Sequence, residues 1–393
     1  MQSTSMQTDI LTPQLLRSAQ SVLSFDQARE LGERHGTPLL VVSKSKLVQT
    51  YRTMRDHLPG VELFYAAKAN PNPFVLQTLY EEGCSVDVCS HGELIAAKQA
   101  GFDPAGMLHT HPCKTRQNLL DCYNEGVRLF VFDNEPELDK IKTHTPDVQL
   151  LLRLAMSADS SLINLSAKFG AHPREVVGLL VAARSRGLNV KGFSFHVGSQ
   201  CLNPGDYRRV LERVRQCWDE AAEMGFELEV LDIGGGFPAP YRDSEMMTLA
   251  TYCDSVSASL SEVFGDLPIR LIAEPGRGLV AECVTLVTQV LGKNLRSGLN
   301  WYIIDDGIYG SFSGKIFDHV DYNVIAENPF GRPLHPCVLA GPTCDSSDVV
   351  ARDQMLPEMN VGDLLLVPTM GAYAGASACP FNGLPVAGSA MIA

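Results

Sequence analysis

The chain has 393 residues, 45% hydrophobic and 20% charged, which is ordinary globular composition with length for one or two cored domains. A formal net charge of −13 argues against a nucleic-acid partner, although a cationic substrate would suit that field. Eleven cysteines, with no CxxC pair, argue against a secreted disulfide framework and for a reducing cytoplasm.

In chain order, the first 25 residues, MQSTSMQTDILTPQLLRSAQSVLSF, are polar and do not read as a signal peptide. No apolar run reaches the ~20 residues of a membrane helix, so no membrane span is expected. From residue 61, short apolar or aromatic runs end in polar or glycine residues and helical stretches follow them. The runs are VELFYAAK (61–68), SVDVCS (85–90), GMLHTHP (106–112), VRLFVFD (127–133), VQLLLRLA (148–155), VKGFSFHVG (190–198), LEVLDIGGG (228–236) and IRLIAEPGR (269–277). GELIAAKQAG (92–101) and PREVVGLLVAARSRG (173–187), which lie between runs, carry apolar residues at helical spacing. Eight alternations predict an α/β fold, a parallel (β/α)8 barrel, with a doubly wound open sheet as the competing topology. After residue 282 the texture changes: VTLVTQVLG (284–292), WYIIDDG (301–307), HPCVLAGP (335–342) and DLLLVP (363–368) predict a mostly antiparallel β-sheet domain. The expected organisation is residues 1–36 joining the β domain, a barrel over 37–282, and the β domain over 283–393.

Reactive residues sit where the runs end. Lys68, Asp87, Arg153, His196, Gly234 to Gly236, Glu274 and Arg277 occupy the C-terminal ends of six strands, which in a barrel converge on the catalytic mouth. Lys68 follows an apolar run; desolvation there would lower its pKa and free the amine for Schiff-base chemistry, whereas most lysines are solvated surface charges. The three glycines of DIGGGFP (232–238) follow the seventh strand and Arg277 ends the eighth, where barrel phosphate sites form. A tight turn is the plainer reading of GGG alone. Glu274 could pair with a pyridinium nitrogen, or be a surface glutamate; His196 could lie against a cofactor ring, or be a satisfied core histidine. In the β domain, GPTCDSSD (341–348) places Cys344 beside Asp345, and MGAYAGASACPFNG (370–383) places Tyr373 among small residues. His109 and His111 lack further ligands at zinc-like spacing, so no metal is assigned.

These motifs, with SFHVGSQC, DDGIYGSF and FDHV in the same order, make the chain resemble the ornithine/diaminopimelate/arginine decarboxylase family. Its members are pyridoxal-phosphate enzymes with an alanine-racemase-like barrel and a C-terminal β domain. The resemblance runs from about residue 25 to 383 and is nearest to the ornithine-specific members. It implies pyridoxal 5'-phosphate held covalently by Lys68, with Ser199, Gly234, Gly235, Gly236, Arg277 and Tyr373 on the phosphate. Glu274 would meet the ring nitrogen, His196 the ring, and Asp87, Glu93 and Arg153 would form a polar network near the lysine. Cys344 would protonate Cα after CO2 leaves, and Asp318 and Asp345 would receive the substrate's distal amine. Cys344, Asp345 and Tyr309 would come from the partner subunit of an obligatory homodimer.

The implied reaction is decarboxylation of a basic L-amino acid, ornithine to putrescine foremost, in cytoplasmic polyamine biosynthesis. Two carboxylates suit an ammonium and would repel the distal carboxylate of diaminopimelate. Three residues depart from the family pattern: His111 where asparagine is usual, Gln200 where glycine is usual, and an added acid, Asp321. They leave lysine, another diamino acid or an ornithine-containing metabolite open as substrate. An inactive regulatory homologue would be expected to lose Lys68, the glycine loop or Cys344-Asp345; all three are retained.

Overall fold

The computed structural model describes residues 22–163, 165–242, 246–327 and 332–393. They form two compact units. One comprises Leu47–Pro238 and Met246–Leu279; the other comprises the described residues of Met1–Lys46, Ala239–Glu245 and Val280–Ala393.

In the first unit the eight expected runs form a closed parallel barrel, which excludes the open sheet. Its strands are Val61–Ala66, Ser85–Val88, Leu108–His109, Leu129–Phe132, Gln149–Leu154, Asn189–Phe195, Val230–Asp232 and Arg270–Ala273. The eighth closes on the first, with Leu271 opposite Val61. Strands covered on both faces must be apolar nearly throughout, and Leu129–Phe132 is buried at all four positions. Phe64, Leu108, Leu129, Val131, Leu151, Val230 and Ile272 form one core cluster; each such side chain contributes roughly 1.5–3 kcal/mol on burial. Gly192 lets two strands approach, because a Cβ there would stand 1.7 Å from the Val230 carbonyl oxygen.

The turns after the first four strands are built alike. Each ends in a side chain that caps the next helix: Asn72 for Pro73–Glu81, Ser90 for His91–Gln99, Thr115 for Arg116–Glu125 and Asn134 for Glu135–His144. A capped start fixes where each helix begins, and so where the residues just before it are held.

The second unit is built on an eight-stranded sheet. The strands Val284–Arg296, Leu299–Ile304, Leu334–Ala340 and Leu364–Val367 fall on the four expected runs, each of the last three ending before its run does. Antiparallel pairing dominates, and among the described residues the parallel pairs are those of Leu39–Ser43 with Gly388–Ile392 and of Leu299–Ile304 with Leu334–Ala340. The boundary between units falls at Lys46/Leu47, not before residue 37, because Leu39–Ser43 pairs with Val284–Arg296 rather than with a barrel strand. Of the N-terminal segment expected to complete this domain, residues 1–21 lie outside the described residues. Beyond them, helix Phe25–His35 starts on a reciprocal Ser24–Gln27 cap. Its Ala28, with Leu23, packs on Leu39, Val41, Val287, Leu366 and Ala390.

None of the eleven cysteines is in a disulfide. Among the described residues no helix is long and apolar enough to cross a membrane.

Candidate active site

Lys68 lies in the single helical turn Ala67–Ala69 that follows the first barrel strand. Its Nζ is 3.4 Å from Asp87 Oδ2 and 3.9 Å from Cys89 Sγ. Asp87 ends up beside it because the first and second strands pair with Ala66 opposite Asp87. The other oxygen of Asp87 accepts a 2.7 Å hydrogen bond from the Thr110 hydroxyl. Burial pushes the Asp87 carboxyl up to about 6, against the opposing pull of Lys68. The desolvated member of this pair is therefore the acid: the Lys68 side chain, expected to be buried, is 37% exposed and that of Asp87 is 0%. Glu93 accepts the Cys89 N–H at 2.7 Å and so fixes the turn that carries Cys89.

The glycine loop follows the seventh strand, and its conformation needs glycine. Gly234 and Gly236 adopt φ of 65° and 116°. A Cβ on Gly235 would lie 2.7 Å from the Glu274 carbonyl oxygen and 3.1 Å from His196 Nε2. Among the described residues no acceptor faces the N–H of Gly235 or Gly236. The Arg277 guanidinium, largely buried, donates to Ser199 Oγ at 3.3 Å from both Nε and Nη2. Ser199 is held by an antiparallel ribbon of Ser161–Ile163 with Ser199–Cys201. Backbone N–H groups, a hydroxyl and a guanidinium are the donors a phosphate takes. Gly235→Ala is expected to weaken pyridoxal phosphate binding at least about tenfold, since the new methyl meets backbone that cannot swing aside. Titration of the apoprotein, followed by cofactor absorbance, checks this; unchanged affinity would show that the loop is not the cradle.

Glu274 and Asp232 are a buried acidic pair. Burial first, then Asp232, pushes the Glu274 carboxyl well above its usual range. Burial also raises Asp232, whose Oδ1 accepts the Gly234 N–H at 2.9 Å. A cationic ring nitrogen beside Glu274 would relieve this penalty, so the acid is poised to gain from a pyridinium partner. His196 accepts the Gly198 N–H through Nδ1 at 3.0 Å. Burial, with Arg153 and Lys68 nearby, lowers its pKa well below the usual value and keeps the imidazole neutral. Arg153 ends the fifth strand and lies over the Phe169 ring at 5.5 Å.

Thus one unit gathers Lys68, Asp87, Glu93, Arg153, His196, Ser199, Gly234, Gly235, Gly236, Glu274 and Arg277. The other carries Tyr309, Asp318, Cys344, Asp345 and Tyr373. There the Tyr309 hydroxyl donates to Asp345 and its ring stacks on Phe381 at 4.2 Å between centroids. That hydroxyl, with the Ser347 N–H at 2.8 Å, holds the Asp345 carboxyl below the usual range. Asn382 Oδ1 accepts both the Cys344 N–H at 3.0 Å and the thiol at 3.1 Å. Asp318 is buried just after helix Gly314–Phe317, and Tyr373 adopts φ of 60°.

The departures from the family pattern have local explanations. The added acid Asp321 is ion-paired with Lys315, so its charge is compensated. His111 accepts the Cys113 N–H at 3.1 Å and sits edge-on to Phe169. Gln200 adopts φ of 57° in the Ser199–Cys201 strand, a conformation glycine takes more easily.

Sequence reasoning missed Cys89 and Thr110 around the Lys68–Asp87 pair, Asp232 beside Glu274, and Asn382 behind Cys344. Asp232 was visible as the acid opening the glycine motif. The others are contacts that only strand register or loop packing creates.

Residues 44–281 match the family described as pyridoxal-dependent decarboxylase, pyridoxal binding domain. The lysine/ornithine decarboxylase of Selenomonas ruminantium is 40% identical over 366 residues, covering 93% of this chain and 92% of the relative. A crystal structure of lysine decarboxylase from that organism superposes with a TM-score of 0.89 at 39% identity, over 94% of this chain and 96% of the other. The lysine/ornithine decarboxylase of Vibrio vulnificus, solved with putrescine, gives 0.87 at 38% identity over 94% and 99%. With the lysine, the glycine loop and the buried acid all present in the matched barrel, this chain belongs to the pyridoxal-phosphate-dependent ornithine/lysine/arginine decarboxylase family.

Proposed function

We propose that the protein decarboxylates a basic L-amino acid, L-ornithine to putrescine and CO2 foremost, as a homodimer whose subunits share each active site. The observation that carries the substrate reading is Asp345: its carboxylate is held ionised by Tyr309 and Ser347 in the loop that also carries Cys344. An anion maintained beside the proposed acid favours a substrate with a distal ammonium and repels one with a distal carboxylate. Lysine is the second reading, supported by the lysine and ornithine activities named for the Selenomonas ruminantium relative. An ornithine substrate would give the protein a role in supplying polyamines, and its cysteine usage favours the reducing cytoplasm as the compartment.

When bound, pyridoxal phosphate supplies the electron sink that makes loss of CO2 from Cα accessible. The chain's residues supply the rest. Lys68 anchors the cofactor, and Asp87, Glu93 and Arg153 fix the lysine's surroundings. Ser199, Gly234, Gly235, Gly236 and Arg277 hold the phosphate, joined by Tyr373. Glu274 would pair with the ring nitrogen, and neutral His196 would lie beside the ring without competing for that proton. Asp318 and Asp345, with Tyr309, orient the substrate through its distal amine. Cys344 delivers the proton that Cα needs once CO2 has gone.

The deciding experiment is a mass-spectrometric screen of product amines from ornithine, lysine, diaminobutyrate, arginine and diaminopimelate, run on wild type and Asp345→Ala. Wild type is expected to favour ornithine or lysine. Losing a charged partner for an ammonium costs about 1–3 kcal/mol, so Asp345→Ala should lower kcat/KM for the preferred diamino acid at least about tenfold. Cofactor affinity should change little. Faster turnover of diaminopimelate than of ornithine and lysine would overturn the basic-substrate reading.

A further inference from the structure

Asp348 lies three residues beyond Asp345 and is only 2% exposed. Its carboxylate accepts three hydrogen bonds from two separate loops. Oδ1 takes the Ile308 N–H at 2.9 Å; Oδ2 takes the Thr343 N–H at 3.2 Å and the Thr343 hydroxyl at 2.7 Å. Its backbone closes the second loop on itself, with the Gly341 N–H donating to Asp348 O at 2.9 Å and the Asp348 N–H to Asp345 O at 3.1 Å.

Two glycines make room for this carboxylate. A Cβ on Gly307 or on Gly341 would come within 2.3 Å of one of its oxygens. Gly307 and Ile308 lead directly into Tyr309, and Gly341 and Thr343 lead into Cys344 and Asp345. A single buried acid therefore fastens the loop that carries Tyr309 to the loop that carries Cys344 and Asp345. The Tyr309–Asp345 hydrogen bond bridges those same two loops.

We infer that Asp348 is a positioning residue for substrate selection: it sets the Tyr309–Asp345 pair at the end of the site that reads the distal amine. The inference rests on the reading of Asp345 as that amine's partner. Asp348 acts through the loops and does not touch substrate. A carboxylate accepts from both loops at once. An amide in its place offers one acceptor oxygen and turns an NH2 toward N–H and O–H donors, so one loop is released.

The test compares single-turnover decarboxylation of ornithine and of norvaline, which has the same chain length without the amine. Asp348→Asn should lower the ornithine-to-norvaline ratio of rate constants at least about tenfold, with cofactor affinity unchanged. Thr343→Val should lower it by a smaller factor, and Thr343→Ser, which keeps the hydroxyl, should restore it. A merely structural role would reduce the active fraction for both substrates equally, so an unchanged ratio in folded Asp348→Asn overturns the proposal. Should Asp348→Asn fail to fold, the Thr343 pair decides: equal ratios for valine and serine overturn it. Asp345→Ala is run alongside. If it lowers the ratio while Asp348→Asn and Thr343→Val do not, the positioning role alone is wrong. If Asp345→Ala also leaves the ratio intact, the amine-partner reading has failed and the positioning role falls with it.

Discussion

Lys68→Ala is expected to abolish turnover, with kcat falling on the order of 10³-fold or more, the scale seen when a residue of a catalytic unit is lost. The reason is positional: Lys68 alone places an amine directly after the first barrel strand, against Asp87 and within reach of its charge. The proposed phosphate cradle is untouched by this change, because Arg277, Ser199 and the glycine loop come from the sixth to eighth strands. Cofactor should therefore still bind, more weakly and without covalent attachment. Borohydride reduction of the wild type followed by peptide mapping should place the pyridoxyl group on Lys68. Recovery of that group on another lysine would sink the assignment.

How much of this was readable beforehand depends on what each feature needs. The eight barrel strands were legible because parallel strands buried on both faces must be apolar runs, and each run here ends in a residue of different chemistry. The strand Leu39–Ser43 shows the limit of that reasoning. LLVVS is buried at every position and is locally indistinguishable from a barrel strand, yet it pairs with Val284–Arg296. Only the partner reveals its domain. The strand Val349–Pro357 was missed for the opposite reason, since its centre, ARDQ, is polar and partly exposed.

The same division runs through the site. Lys68, Glu274 and the glycine loop announce themselves because their chemistry is concentrated in short contiguous stretches. Thr110 does not: it reaches Asp87 because Asp87 pairs with Leu108, two residues before it, and register is not written in either strand alone. Asn382 and Asp348 are further removed, since each acts across loops more than thirty residues apart. The exposure of Lys68 was misjudged for a related reason. Strand-end position predicts convergence on the mouth, not how much of a side chain there is buried.

Mixing two inactive proteins, Lys68→Ala and Cys344→Ala, is expected to restore activity if the proposed dimer shares its sites. With free subunit exchange at equal amounts, half of the dimers are hybrids. Each hybrid has one site in which an intact Lys68 meets an intact Cys344 from the other chain, so about a quarter of wild-type activity should return. If both residues served the same site from one chain, every site in a hybrid would lack one of them and nothing would return. The two variants must be inactive for different reasons, and they are expected to be. Cys344→Ala should retain cofactor absorbance and lose correct protonation at Cα, giving a carbonyl product in place of the amine, so activity is followed as amine formed. Lys68→Ala should lose covalent attachment. Native mass spectrometry of the mixture establishes that hybrids have formed. Hybrids without recovered activity would place both residues in cis and overturn the shared site; recovery near a quarter also excludes a monomeric active form, because no monomer in the mixture carries both side chains.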